Sequence, residues 1–139
     1  MAKAESESQL LSRIRLALGQ DARAVLWRNN AGKFLADFGA AGTRPVSTGL
    51  TVGASDLVGM VKVLGMHVDD MHQFASPATL ARFLAIEVKS HTGRIRLEQV
   101  QFARLVNSLG GYACVVRSVA DAIDAVDRAA RGESAPEVK

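Results

Sequence analysis

Residues 82–90, RFLAIEVKS, give the clearest strand pattern in the chain and carry an acid and a base two positions apart. Successive side chains of a strand point to opposite faces, so Glu87 and Lys89 share one face. The other face is apolar and is formed by Leu84, Ile86 and Val88. A carboxylate at the end of a strand suits a hard cation such as Mg²⁺. A neighbouring ammonium group could steer a water molecule or offset the charge that builds up on a reacting phosphate.

Hydrophobic periodicity and turn residues place further elements on both sides of this strand. The predicted order is a helix capped by Ser6 with Gln9 and ending at Gly19, strands at 24–28, 33–38, 57–64 and 82–88, a helix at 97–109, a strand at 112–117, and a helix capped by Ser118. Residues 39–53 are predicted to form a loop and residues 65–79 an irregular segment. This order predicts one α/β domain over residues 1–131, with a mixed central sheet flanked by helices on both faces, followed by a disordered tail at 132–139.

A single carboxylate seldom holds Mg²⁺, so a second acid is needed, and Asp56 is the candidate. It follows Gly53 and opens the strand at 57–64. If that strand neighbours the strand at 82–88, Asp56 and Glu87 converge on one ion. Asp56 as a turn former and Glu87 with Lys89 as cross-strand surface charges are the alternative interpretations.

The flanking helices contribute two further polar candidates. Glu7 precedes Ile14 by seven residues, nearly two turns, and so projects toward the sheet. Glu5 precedes it by nine and faces away, although Glu7 could also merely complement the helix dipole. Gln99 lies three residues before Phe102, on the inward face of the first turn of its helix. An exposed position remains the alternative for Gln99.

Gly53-x-x-Asp56, Glu87-x-Lys89, Thr92-Gly93-Arg94 and Gln99, in this order, resemble the VRR-NUC nucleases of the PD-(D/E)XK superfamily. The stretches WRNN at 27–30 and VVRS at 115–118 extend the resemblance over nearly the whole chain. Two positions depart from the pattern. Ser55 stands where the superfamily name has proline, and Arg96 stands at a helix cap where serine is common, so that Thr92 is an alternative cap.

The resemblance implies a restriction-endonuclease-like core and a metal-dependent DNA endonuclease. Its implied metal ligands for Mg²⁺ or Mn²⁺ are Asp56, Glu87 and Glu7, with Lys89 as the catalytic lysine and Gln99 as a supporting residue. It also implies a homodimer that cuts branched DNA, such as four-way junctions. The candidate DNA contacts are Arg28, Ser90, Thr92, Arg94 and Arg96. For Arg94 and Arg96, ordinary surface charge is the alternative interpretation.

Composition narrows the remaining classes of function. The net charge of +3 is too small to indicate nucleic-acid binding by itself, and no apolar run is long enough to span a membrane. A single cysteine, Cys114, excludes a disulfide framework and fits a reducing cytoplasm, of a bacterium or of the host of a phage. The segment with His67, Asp69, Asp70 and His72 is interpreted as a solvated loop rather than a metal cluster. A silent DNA-binding scaffold and a hydrolase of small phosphoesters remain the alternative functions.

Overall fold

The computed structural model describes residues 5–68 and 75–139. Its helices are α1 (Glu7–Leu18), α2 (Leu97–Ser108) and α3 (Val119–Ala130), with a short 3-10 turn at Gly39–Ala41. Its strands are β1 (Ala24–Arg28), β2 (Gly32–Asp37), β3 (Thr43–Thr48), β4 (Leu57–Val68), β5 (Ala75–Val88) and β6 (Tyr112–Val116). None of the described helices is both long enough and apolar enough to cross a membrane.

The central sheet has four strands in the order β1-β4-β5-β6. β4 pairs antiparallel with both β1 and β5, whereas β6 pairs parallel with β5. The parallel pair requires a crossover connection, which α2 supplies. The predicted mixed central sheet of an α/β domain is therefore confirmed.

Helices cover the two faces of the sheet unequally. α1 and α3 pack on the face that carries Leu84, Ile86 and Val88 of β5. α2 packs on the opposite face, against Ala85 of β5 and Ala113 of β6. The alternation predicted for residues 82–88 is confirmed, because Leu84, Ile86 and Val88 enter one hydrophobic cluster and Ala85 enters the other.

Two segments that the sequence predicted as irregular contain strands. In residues 39–53, β3 pairs antiparallel with β2 and forms a separate two-stranded hairpin. Pro45 weakened the strand pattern there, but proline is tolerated in an edge strand. In residues 65–79, β4 continues to Val68 and β5 begins at Ala75. Pro77 is tolerated because β6 pairs only with Leu84–Val88 and leaves one side of β5 unpaired at that point.

Residues 132–139, the predicted disordered tail, form no helix or strand but contact the domain at two points. Val138 is buried in the cluster beneath α2, together with Val100 and Val106. The carboxylate of Glu133 accepts hydrogen bonds from Arg128 and Arg131 at the end of α3. One apolar residue and one acid therefore hold the tail against the domain. The polar composition of the segment hid both contacts.

Candidate active site

Glu87 and Lys89 form a buried ion pair at the end of β5. The side chains are on the face that α2 covers, and the residues are only 4% and 9% exposed. Lys89 Nζ lies 2.8 Å from Glu87 Oε1. Glu87 Oε2 is also buried, and it has no hydrogen-bond partner among the described residues. A buried carboxylate oxygen without a partner is costly in a folded protein, so Glu87 offers an open position for a proton or a cation.

Gln99 connects the start of α2 to this carboxylate. It is 6% exposed, which agrees with the inward position predicted from helical periodicity. Its Oε1 accepts a hydrogen bond of 2.9 Å from the backbone amide of Arg96, the N-cap residue. Its Nε2 donates to Glu87 Oε1. The first hydrogen bond fixes the amide orientation, so that the donor end of Gln99 faces Glu87. Arg96, rather than Thr92, occupies the cap.

Asp56 reaches the same point from β4. Its Oδ2 accepts a hydrogen bond of 2.9 Å from the backbone amide of Val88. Leu57 pairs with Ile86, so continuing that antiparallel register by one residue puts Asp56 opposite Glu87 and on the same face. The predicted neighbourhood of the two strands is confirmed, and it brings the two acids together.

The pKa of Glu87 is raised above the usual range of a glutamic acid. Burial is the largest cause, because it disfavours the charged form. The hydrogen bond from Lys89 acts in the opposite direction, and the charge of Asp56 raises the pKa further. The site therefore disfavours a second negative charge beside Asp56, and a bound cation would relieve this cost.

The loop before Asp56 is held by contacts that the sequence did not predict. The amide of Asn29 donates to the carbonyl of Asp56 at 2.8 Å, and the Asn29 side chain bonds to the carbonyl of Ser55 and the amide of Leu50. Gly53 has a φ of +84°, and a Cβ there would lie 2.3 Å from the carbonyl oxygen of Glu98. Only glycine allows the loop to approach α2 this closely.

Glu7 contacts the turn that follows β5. The predicted Ser6 and Gln9 capping box is present and places Glu7 in the first turn of α1. Glu7 Oε1 accepts a hydrogen bond of 3.1 Å from the amide of Ser90. A Cβ at Gly93 would lie 2.5 Å from that oxygen, so glycine leaves room for the carboxylate. A metal-ligand role for Glu7 stays a prediction.

Arg117 braces the same turn from the end of β6, and the sequence analysis missed it. Its guanidinium donates to the carbonyls of Ser90 and Gly93, the latter at 3.0 Å. Arginine suits this task because its donors diverge in a fixed fork. The VVRS stretch drew attention to the position, but nothing in it indicated which carbonyls Arg117 would bind.

A cleft of about 540 Å³ opens onto these groups. Asp56, Glu87, Gln99 and Arg96 line one side, and residues of the β2–β3 hairpin, including Lys33 and Ser47, line another. Of the predicted DNA contacts, Arg28, Thr92, Arg94 and Arg96 are exposed, whereas Ser90 is half-buried within the turn. Of this group, only Arg96 lines the cleft.

The two acids that line the cleft would fit a divalent cation whose remaining ligands come from solvent or substrate. They do not form a complete coordination cage by themselves. Over residues 5–68 and 75–139, no three His, Cys, Asp or Glu side chains are grouped to hold a metal ion. Asp56 and Glu87 alone would leave coordination positions open, as expected where Mg²⁺ also binds substrate phosphates. Asp69, Asp70 and His72 lie outside the described residues, while the backbone at His67 belongs to β4.

Cys114 is buried beneath α3 in the main core. Burial raises the pKa of its thiol to about 12. The thiol is therefore protonated at neutral pH and unreactive as a nucleophile.

Comparison of the chain with protein-family models, curated proteins and solved structures finds no match.

Proposed function

We propose that the chain is a metal-dependent DNA endonuclease that hydrolyses phosphodiester bonds at the end of β5. The observation that supports this most strongly is the buried carboxylate of Glu87. One of its oxygens is paired with Lys89, the other has no partner in the described chain, and Asp56 lies opposite on the same sheet face. Two acids that line an open cleft, with a buried lysine paired to one of them, are the groups that metal-assisted phosphodiester hydrolysis requires.

Asp56 and Glu87 would hold Mg²⁺ or Mn²⁺, with Glu7 as a third candidate ligand. The orphaned oxygen of Glu87 and its raised pKa support this assignment, since Lys89 pairs with only one oxygen of the carboxylate and burial still disfavours its charge. A bound divalent cation would lower the pKa of a water molecule, so that the water can lose a proton and become a nucleophile near neutral pH, and it would offset phosphate charge.

Lys89 is the group that would act on the reacting atoms. Its pairing with Glu87 holds the ammonium group at the strand end, where it can orient the attacking water and stabilise charge on the phosphate oxygens. The water oxygen bonds to phosphorus and gives up a proton to solvent, while the bond from phosphorus to the 3′ oxygen breaks and the leaving oxygen takes a proton from solvent. The products then carry a 5′-phosphate and a 3′-hydroxyl, as the family resemblance implies.

The proposed substrate is branched DNA, and four-way junctions are the form that the resemblance implies. Arg96, which lines the cleft, and exposed Arg28, Thr92 and Arg94 outside it would bind backbone phosphates, while the amide of Ser90 is engaged by Glu7. A homodimer would set two such sites at a fixed separation. Both the dimer and the restriction-endonuclease-like core remain part of this proposal.

Cleavage of a labelled four-way junction with Mg²⁺ and with EDTA tests the proposed function. We expect cleavage only with Mg²⁺, and its loss in Asp56→Asn, which removes one charged ligand. Asp124→Asn, an exposed acid on α3, is the matched control and should cleave normally. DNA binding without cleavage under any divalent cation would instead support a silent scaffold. Turnover of a small phosphodiester without affinity for DNA would support a small-molecule hydrolase.

A further inference from the structure

The β2–β3 hairpin stands apart from the central sheet and exposes aromatic side chains. It forms its own two-stranded sheet. Phe34 is 50% exposed and Phe38 is 48% exposed, so neither phenylalanine is buried in the hydrophobic core. An isolated hairpin gains little stability from exposed aromatic residues. The presence of two exposed aromatic rings on one small element indicates a binding surface for a ligand or a macromolecule.

One face of the hairpin combines these rings with a cation. On β2, Ala36 follows Phe34 by two residues, so both side chains are on one face. Their partners on β3 are Arg44 and Val46, which therefore share that face. The Arg44 guanidinium is stacked over Phe38 at 4.6 Å from the ring centroid. Alternating aromatic rings and guanidinium groups are the surface on which unpaired bases stack and phosphates bind.

The base of the hairpin joins it to the proposed active site. Lys33 and Ser47, which are opposite each other at the base of the hairpin, line the cleft that contains Asp56 and Glu87. A strand bound on the face that carries Phe34 and Arg44 would therefore lie across the hairpin from the side chains of Lys33 and Ser47. The acid of the hairpin, Asp37, accepts a hydrogen bond of 2.8 Å from the amide of Gly39 and shapes the turn.

We propose that the β2–β3 hairpin binds an unpaired strand of the nucleic-acid substrate at its branch point. Phe34 and Phe38 stack on bases, Arg44 binds a phosphate on that face, and Lys33 binds a phosphate on the cleft side. The hairpin thus lies between the strand to be cut and the strand that is separated from it. This inference rests on the proposed function, and it adds the element that distinguishes branched from continuous duplex DNA.

A second copy of the chain fits this face less well. Stable protein interfaces bury roughly 800 Å² on each partner and have a core depleted of charge. Here two rings and one half-buried valine surround an exposed arginine, on strands of only six residues each. The face is small and its centre is charged, which suits a polyanion better than another protein.

Binding without cleavage tests the hairpin separately from the active site. The full chain is titrated in EDTA against a fluorescein-labelled oligothymidylate, a blunt duplex and a four-way junction, and anisotropy is measured. We expect Phe34→Ala/Phe38→Ala to weaken oligothymidylate binding by on the order of tenfold or more and to leave duplex binding nearly unchanged. The control, Leu16→Ala/Leu109→Ala, removes two exposed apolar side chains elsewhere and should bind normally.

Arg44→Gln gives a second test that does not depend on the aromatic rings. We expect the slope of log K for oligothymidylate against log salt to become shallower by about 0.7, the value for one phosphate contact on a single strand. Unchanged oligothymidylate affinity and salt slope in folded variants would overturn the inference. So would a change in sedimenting mass instead of DNA affinity, because that would identify a second copy as the occupant.

The outcomes of the two proposals can be told apart. If the hairpin variants lose oligothymidylate binding and the chain cleaves no DNA with any divalent cation, the inference stands and the proposed endonuclease activity fails. If the chain cleaves junctions with Mg²⁺ while the hairpin variants bind and cleave like the unmodified chain, the activity stands and the inference fails.

Discussion

Replacement of Lys89 by methionine should slow DNA cleavage by about 100- to 1,000-fold, which corresponds to about 2.7–4 kcal/mol of lost transition-state stabilisation. Methionine keeps most of the length of the side chain and removes only the ammonium group. Lys89 is 9% exposed and lies 2.8 Å from Glu87. Water therefore cannot easily replace its charge, and the effect should reach the upper part of the range for one lost donor.

The same substitution should change how both cleavage and the stability of the folded chain depend on pH. The hydrogen bond from Lys89 is the largest influence that lowers the pKa of Glu87, so its loss should raise that pKa further. A carboxyl group whose pKa is raised in the folded state lowers the free energy of unfolding as pH rises from the ordinary glutamate pKa through the raised one. The variant should consequently be less stable than the unmodified chain at neutral pH, by up to about 3–5 kcal/mol, and the deficit should shrink in acid.

Single-turnover cleavage of a labelled four-way junction at saturating Mg²⁺, measured over a range of pH, is the assay. Lys62→Met, which removes an exposed lysine on β4, is the matched control and should retain the normal rate. Circular dichroism at the assay temperature verifies that both variants are folded. A Lys89→Met cleavage rate within a few-fold of that of the unmodified chain would show that Lys89 does not stabilise the transition state. Full recovery of the rate at high pH would show that Lys89 only tunes Glu87 and does not stabilise the transition state.

Three further predictions follow from other contacts. Mn²⁺ affinity, measured by calorimetry, should rise about tenfold per pH unit up to the raised pKa of Glu87 and then level off, because binding must displace the proton; a flat profile would contradict this. Gly53→Ala should lower the free energy of unfolding by about 1–3 kcal/mol in urea titrations, whereas Gly32→Ala, where a Cβ meets nothing within 4 Å, should cost less. Glu7→Gln should reduce cleavage more than Glu5→Gln, since Glu5 pairs with an exposed arginine; equal effects would contradict the geometry of α1.

Local periodicity was sufficient to predict the elements that hold the candidate site. The period of two in residues 82–88 put Glu87 and Lys89 on one face, and the position of Asp56 at the start of a strand put it at the same edge of the sheet. These inferences required strand geometry and one assumption, that β4 pairs with β5. The two strands do pair in the structure. Helical phase likewise turned Gln99 inward.

The missed features depend on contacts between distant parts of the chain. Arg117 binds carbonyls 24 and 27 residues earlier, and Asn29 binds the carbonyl of Ser55, 26 residues later. No local pattern encodes such partners. β3 was missed because Pro45 and its glycine-rich surroundings have low strand propensity, which pairing with β2 overrides.

The most direct test of whether Asp56 and Glu87 hold one divalent cation is the structure of a crystal of the chain soaked in Mn²⁺, with anomalous scattering used to locate the metal. We expect an anomalous peak between the carboxylates of Asp56 and Glu87, within about 2.0–2.3 Å of an oxygen from each. A metal bound elsewhere, or a site in which these two carboxylates point away from a common position, would contradict it.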